Sequence, residues 1–191
     1  MPMALTDIEL CTRALVKLGA RPITSLSDGS SEAEIASLLY APTRDGLLSS
    51  YAWSFATVQA ALTLSSTAPV ADYQFAYNLP NDILRVISIG ANNAGSGIPY
   101  RMTGNVLHTN ASGVILTYIA RVSTAICPPY FDVALMARLS AELCLPLTEN
   151  TSRADLLARL ADQEFARARQ IDAQQDTPNA LTDFSLINSR F

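Results

Sequence analysis

The sequence predicts an α+β protein that is mainly helical: a four-helix bundle, a small antiparallel β-sheet inserted between the second and third helices, and an extended C-terminal tail. Three observations carry this. Apolar residues recur at three- and four-residue steps near both ends of the chain. The middle, residues 56–121, changes to two-residue alternation and β-branched runs. Residues 174–191 follow neither period. The predicted organisation is one domain over residues 1–175, with the bundle in 1–55 and 128–175 and the β insertion in 56–127. A tail over 176–191 follows.

The first helix opens on a capping box, Thr6 with Glu9, and carries Ile8, Cys11, Leu15 and Leu18 on one face. Gly19 stands where a left-handed residue ends a helix, and Pro22 prevents continuation. A second capping box, Ser31 with Glu34, opens a stripe of Ile35, Leu39, Leu47, Leu48 and Tyr51, with a kink expected over residues 38–42 before Pro42. Trp53 and Phe55 are expected to plug the junction between bundle and sheet.

From Ala56 to Thr63 apolar and polar residues alternate, and residues 84–89 and 114–121 are further strands, separated by turns over 91–97 and 109–113. After Pro128 and Pro129, Phe131, Leu135, Leu139 and Leu143 step every four residues. Ala134, Ala137, Ala141 and Cys144 lie beside them and allow close helix approach; Pro146 is the expected stop. Thr151 or Ser152 caps the last helix, whose predicted stripe is Leu156, Leu160, Phe165 and Ala168 towards Ile171. Its intermixed charges describe a solvated or interfacial face.

Composition narrows the function classes. The 191 residues are 49% hydrophobic, enough for one core, and only 16% charged, which points to surface covered by partners. Net charge is -4 with no Lys/Arg run, so a stable grip on nucleic acid or an anionic membrane is not expected. Cys11, Cys127 and Cys144 are widely spaced and accompany a single histidine, His108; no zinc site is expected, and the thiols are expected free and buried. The N-terminus lacks a secretory pattern, and the uncharged stretch 46–71 is too interrupted by Ser, Thr and Gln to span a membrane.

Catalytic motifs are sparse. Gly95-Ser96-Gly97 lacks the third glycine and following helix of a phosphate loop. His108 is the one candidate for base catalysis. The carboxylate pairs Glu32/Glu34 and Asp162/Glu164 are two residues apart, so on a helix they point in different directions. No cofactor is expected. The tail, with Pro178 and no helical stripe, still carries Phe184, Leu186, Ile187 and Phe191. It therefore either packs on its own domain or docks into a partner.

The order of landmarks resembles one family. Tyr40, Arg44-Asp45, Leu48, Trp53 and Phe55-Ala56 look like the end of the second helix in the tail tubular protein A-like head-to-tail adaptors of short-tailed phages. Tyr73 through Leu79-Pro80 and on to Val86 is similar to that family's Tyr-Ala-Tyr-x-Leu-Pro stretch leading into a strand, with Phe75 where the family often has Tyr. The helix from Phe131 and the closing Arg169-Gln170-Ile171-Asp172-Ala173-Gln174 with Thr177-Pro178 extend the resemblance over nearly the whole chain. The resemblance implies a structural connector, not an enzyme. It implies a twelve-fold homo-oligomeric ring under the portal protein, extending the DNA channel and receiving a tail nozzle or tail tube protein below. The expected location is the neck of the virion, with host cytoplasm before assembly and no membrane association. It assigns portal docking to the tail, through Pro178, Phe184, Leu186, Ile187, Arg190 and Phe191. Two alternatives stand beside it: a muramidase-like cell-wall hydrolase of the phage tail, and a stand-alone interaction module of the same fold.

Overall fold

The computed structural model describes residues 5–91 and 95–175. Helix α1, Asp7–Leu18, begins and ends where the residues dictate. The Thr6 hydroxyl accepts from the Glu9 N–H, and the Glu9 carboxylate accepts from the Thr6 N–H. At the other end Gly19 has φ 77°, its N–H bonds Val16 O at 3.0 Å, and the Ala20 N–H bonds Leu15 O at 3.1 Å. A side chain at Gly19 would meet open space, so only the left-handed backbone opposes substitution. Gly19→Ala is therefore expected to cost about 1–2 kcal/mol, read as a lower melting temperature with unchanged helix content.

Helix α2, Ser31–Ser50, is capped one residue earlier than expected. Ser30, not Ser31, accepts from the Ala33 N–H, because Asp28 accepts from both the backbone N–H and the hydroxyl of Ser30 and holds it in place. Pro42, where a kink is expected, lies inside one uninterrupted helical segment. Leu38 and Pro42 lie on the exposed side, where water can satisfy the carbonyl that the proline leaves free. The face that enters the core is built by Ala33, Ala36, Tyr40 and Leu48, leaving Ile35, Leu39 and Leu47 half-buried at its edge.

The single inserted sheet is corrected to two. Strands β1 (Thr57–Ala61), β3 (Ile83–Ala91) and β6 (Val114–Ala120) form one antiparallel sheet in the order β1-β6-β3. Strands β2 (Phe75–Asn78), β4 (Arg101–Thr103) and β5 (Val106–Thr109) form a second, in the order β2-β5-β4. The second sheet escapes sequence reading because its strands are three or four residues long, too short to show a period. β6 is the buried centre of the first sheet, with Leu116 and Ile119 inaccessible to solvent.

A short 3₁₀ turn, Thr124–Ile126, leads to α3, Pro129–Thr148. Phe131, Leu135, Leu139 and Leu143 are fully buried as the four-residue step requires. Pro146 does not stop this helix; it sits exposed in the last turn, and Glu149 closes the helix with φ 52°. Helix α4, Thr151–Asp172, is capped by Asn150, whose side-chain oxygen accepts from the Arg153 N–H at 2.9 Å, in place of Thr151 or Ser152. α3 is the central helix, against which α4, α1 and α2 all pack, whereas α2 and α4 share almost no contact.

Candidate partner-binding surface

At the junction of bundle and sheets the chain concentrates its aromatic rings. Trp53 is fully buried, with ring centroids 5.1 Å from Tyr51, 5.2 Å from Phe131 and 5.8 Å from both Phe55 and Phe165. Its indole N–H donates to Leu47 O at 3.1 Å, so the polar atom is satisfied inside the cluster. Beside it, Asp172 is buried and accepts from the Ser54 N–H (2.9 Å), the Ser54 hydroxyl (2.8 Å) and the Tyr130 hydroxyl (2.7 Å). Burial, then this hydrogen bond, pushes the Tyr130 hydroxyl above its ordinary range, which keeps it a donor. Asp172 thereby pins the end of α4 to the junction and fixes the point from which the C-terminal residues depart.

The end of α2 and the run from Tyr73 to Val86 meet at Arg121. Asp45, paired with Arg44 at 3.0 Å, also accepts from Arg121 Nε at 2.8 Å. The Arg121 N–H donates to Asp82 O at 2.6 Å, and Asp82 accepts from the Tyr118 hydroxyl. The end of α2 and the stretch entering β3 are thus tied to the end of β6. A second knot lies at the start of α1, where Asp7 Oδ1 accepts from the Tyr40 and Thr124 hydroxyls, each at 2.8 Å.

The candidate reactive groups are scattered. His108 lies in β5, opposite Ala76 and Arg101, with its ring 6.1 Å from Tyr73. Its own backbone N–H and the Ser31 hydroxyl hold Glu32 below the usual carboxylate range, the reverse of what a general acid needs. Asp162 is exposed and bridged to Arg138 at 3.5 Å. Cys11, Cys127 and Cys144 are free and buried, and burial pushes the thiols of Cys11 and Cys127 up to about 12. Among the described residues no group of three or more His, Cys, Asp or Glu side chains is placed to hold a metal. No described helix is long and apolar enough to cross a membrane.

What the described residues do offer is apolar surface. Because α2 and α4 barely touch, α3 floors an open groove between them. Its near end, about 510 Å³, is lined by Leu39, Gly46, Leu47, Ala161 and Phe165. Its far end, about 540 Å³, is lined by Ile35, Leu38, Leu145, Pro146 and Ala154. Arg138 and Glu142, paired at 3.0 Å, stand between the two ends. Leu38 is 67% exposed and Leu145 50%.

A second apolar flank lies across α4. Leu156 and Leu160, expected in the core, are 58% and 45% exposed, while Ala161 and Ala168 take the buried positions. They sit two residues from Ala158 and Asp162, which line the groove. Residues two apart on a helix are roughly 200° apart, so Leu156 and Leu160 point away from it. The Arg153 guanidinium donates to Lys17 O at 3.1 Å, bringing the end of α1, with exposed Val16, to this flank. Sequence reasoning missed both surfaces, since periodicity marks Leu156 and Leu160 as apolar without saying which neighbour covers them.

A third, polar cleft of about 1120 Å³ separates the end of α4 from the first sheet, lined by Ser54, Thr57, Gln59, Thr117 and Asp172. The expected docking residues Pro178, Phe184, Leu186, Ile187, Arg190 and Phe191 lie outside the described residues. No protein-family model matches the chain, and no curated protein matches it.

Proposed function

We propose that this chain is a non-enzymatic head-to-tail connector that assembles as a ring beneath a phage portal, extends the DNA channel and offers a platform for the tail. The observation that carries this reading is the pair of apolar surfaces on opposite sides of α4. A ring needs a heterologous interface, in which one face of a subunit meets a different face of the next. The α2–α4 groove and the Leu156–Leu160 flank supply two such unlike faces on one domain. Net charge -4 fits a channel wall that does not hold DNA. The order of landmarks from Tyr40 to Pro178 supports the same family.

In this reading residues 178–191 reach the portal. Deleting them is expected to leave the domain folded by circular dichroism and to abolish co-sedimentation with portal rings of the same virus. A truncated chain that still saturates those rings with unchanged affinity would assign docking to the bundle. Peptidoglycan clearing on a zymogram, lost on changing one carboxylate, would replace the connector reading with a hydrolase.

A further inference from the structure

We infer that a second copy of this chain fills the groove between α2 and α4, seating its own Leu156–Leu160 flank there. The pairing deepens the connector reading and rests on it only for the closing of the resulting array into a ring.

Helix α4 sorts its charges between two sides, although they alternate along the sequence. Asp155 and Asp162 line the groove together with Glu142 and one cation, Arg138. Arg138 is already shared between Glu142, at 3.0 Å, and Asp162, at 3.5 Å. Three carboxylates against one arginine leave the groove with an acidic border. Arg169 stacks over the Phe165 ring one turn past the groove's near end. The opposite side of α4 has the reverse sign. Arg153, Arg159 and Arg167 each stand three or seven residues from Leu156 or Leu160, which places them on the same side of the helix. Glu164, four residues from Leu160, is the one acidic neighbour there within α4. The Arg153 guanidinium donates to Lys17 O, so the end of α1 extends this flank with exposed Val16 and Lys17. One face is therefore apolar with an acidic border, and the other is apolar with a basic border. Such a pair is complementary from one copy to the next.

The shapes agree. The groove has α3 as its floor and α2 and α4 as its walls, and runs about 16 Å along α4 from Ala154 to Phe165. The flank is an ordered helix of 22 residues. Its exposed Leu156 and Leu160 have the i, i+4 spacing with which an amphipathic helix enters an apolar groove. Leu38 and Leu145, also exposed, are the groove residues they would cover. A chain cannot make this contact with itself, because Leu156 and Leu160 point away from the groove that their own helix walls. Each copy therefore gives its flank to one neighbour and its groove to another, a heterologous contact that propagates.

The test uses two full-length variants and no portal. Leu38→Glu/Leu145→Glu blocks the groove, and Leu156→Glu/Leu160→Glu blocks the flank. All four leucines are exposed, so the core is untouched, which circular dichroism checks. Should a glutamate pair unfold the chain, glutamine at the same positions makes the same test. In sedimentation velocity at rising concentration the unsubstituted chain is expected to add copies beyond two, and each variant alone is expected to remain a monomer. Mixed in equal amounts, the variants keep one intact groove and one intact flank between them. They are expected to form a one-to-one pair that grows no further, at least roughly tenfold tighter than either variant with itself. The pair is expected to weaken as salt rises, since its borders are of opposite sign. A mixture that stays monomeric, or a variant that pairs with itself as well as the mixture does, overturns the inference. A ring on the portal held by other surfaces would leave the connector reading standing while this pairing falls. Bare portal rings beside an intact one-to-one pair would do the reverse.

Discussion

Trp53→Ala is expected to lower stability by about 3–5 kcal/mol, with a melting temperature roughly 10 °C lower. Trp53 meets rings from every part of the junction: Tyr51 after α2, Phe55 before β1, Phe131 at the start of α3 and Phe165 on α4. Truncation leaves a cavity among four rings that cannot all close in, while Leu47 O keeps the Ser50 hydroxyl as its donor. Leu38→Ala, at a position 67% exposed, is the control and is expected to change stability by less than about 0.5 kcal/mol. Denaturant unfolding followed by circular dichroism measures both. A Trp53→Ala loss below about 1 kcal/mol would show that the bundle and sheets do not depend on this cluster.

Asp132→Asn is expected to stabilise the chain in a pH-dependent way. Asp132 is only 5% exposed, and its Oδ1 is buried without a hydrogen-bond partner. Burial raises its carboxyl from 3.8 to about 6, against the opposing pull of the Arg13 guanidinium. In the unfolded chain the group titrates near its ordinary value. Below about pH 4 it is protonated in both states and costs nothing. As pH rises from about 4 through 6 the unfolded chain releases the proton first, and stability falls, by about 3 kcal/mol once pH is well above 6. Asparagine never ionises, so the variant is expected to exceed the parent by about 2–3 kcal/mol at pH 8 and to match it near pH 4. Urea unfolding at the two pH values measures this. An equal difference at both would show that Asp132 is not carrying a buried charge.

Local signals in this sequence are legible and tertiary ones are not. Thr6, Glu9 and Gly19 end α1 as read, because each acts through atoms within a few residues. The caps of α2 and α4 shift by one residue where neighbouring residues carry equally competent oxygens, Ser30 beside Ser31 and Asn150 beside Thr151. The choice at Ser30 is made by Asp28. Pro146 reads as a stop, yet α3 continues through it, because the proline faces solvent and the freed carbonyl loses little; Pro42, read as a kink, likewise lies inside its helix on the exposed side. The longer strands β3 and β6 are legible from their β-branched runs, whereas β4, three exposed residues, has no pattern to find. The groove is invisible locally, since it exists only because α2 and α4 each pack on α3 and not on each other. The outward turn of Leu156 and Leu160 is hidden for the same reason.

The connector reading rests most directly on what this chain does when it meets a portal. Single-particle images of portal rings mixed with the full-length chain are expected to show an added ring of twelve-fold symmetry on the portal's narrow end, coaxial with the channel. The chain alone, by light scattering at low concentration, is expected to be a monomer. Portal rings that remain bare at saturating concentrations of the chain would contradict the account.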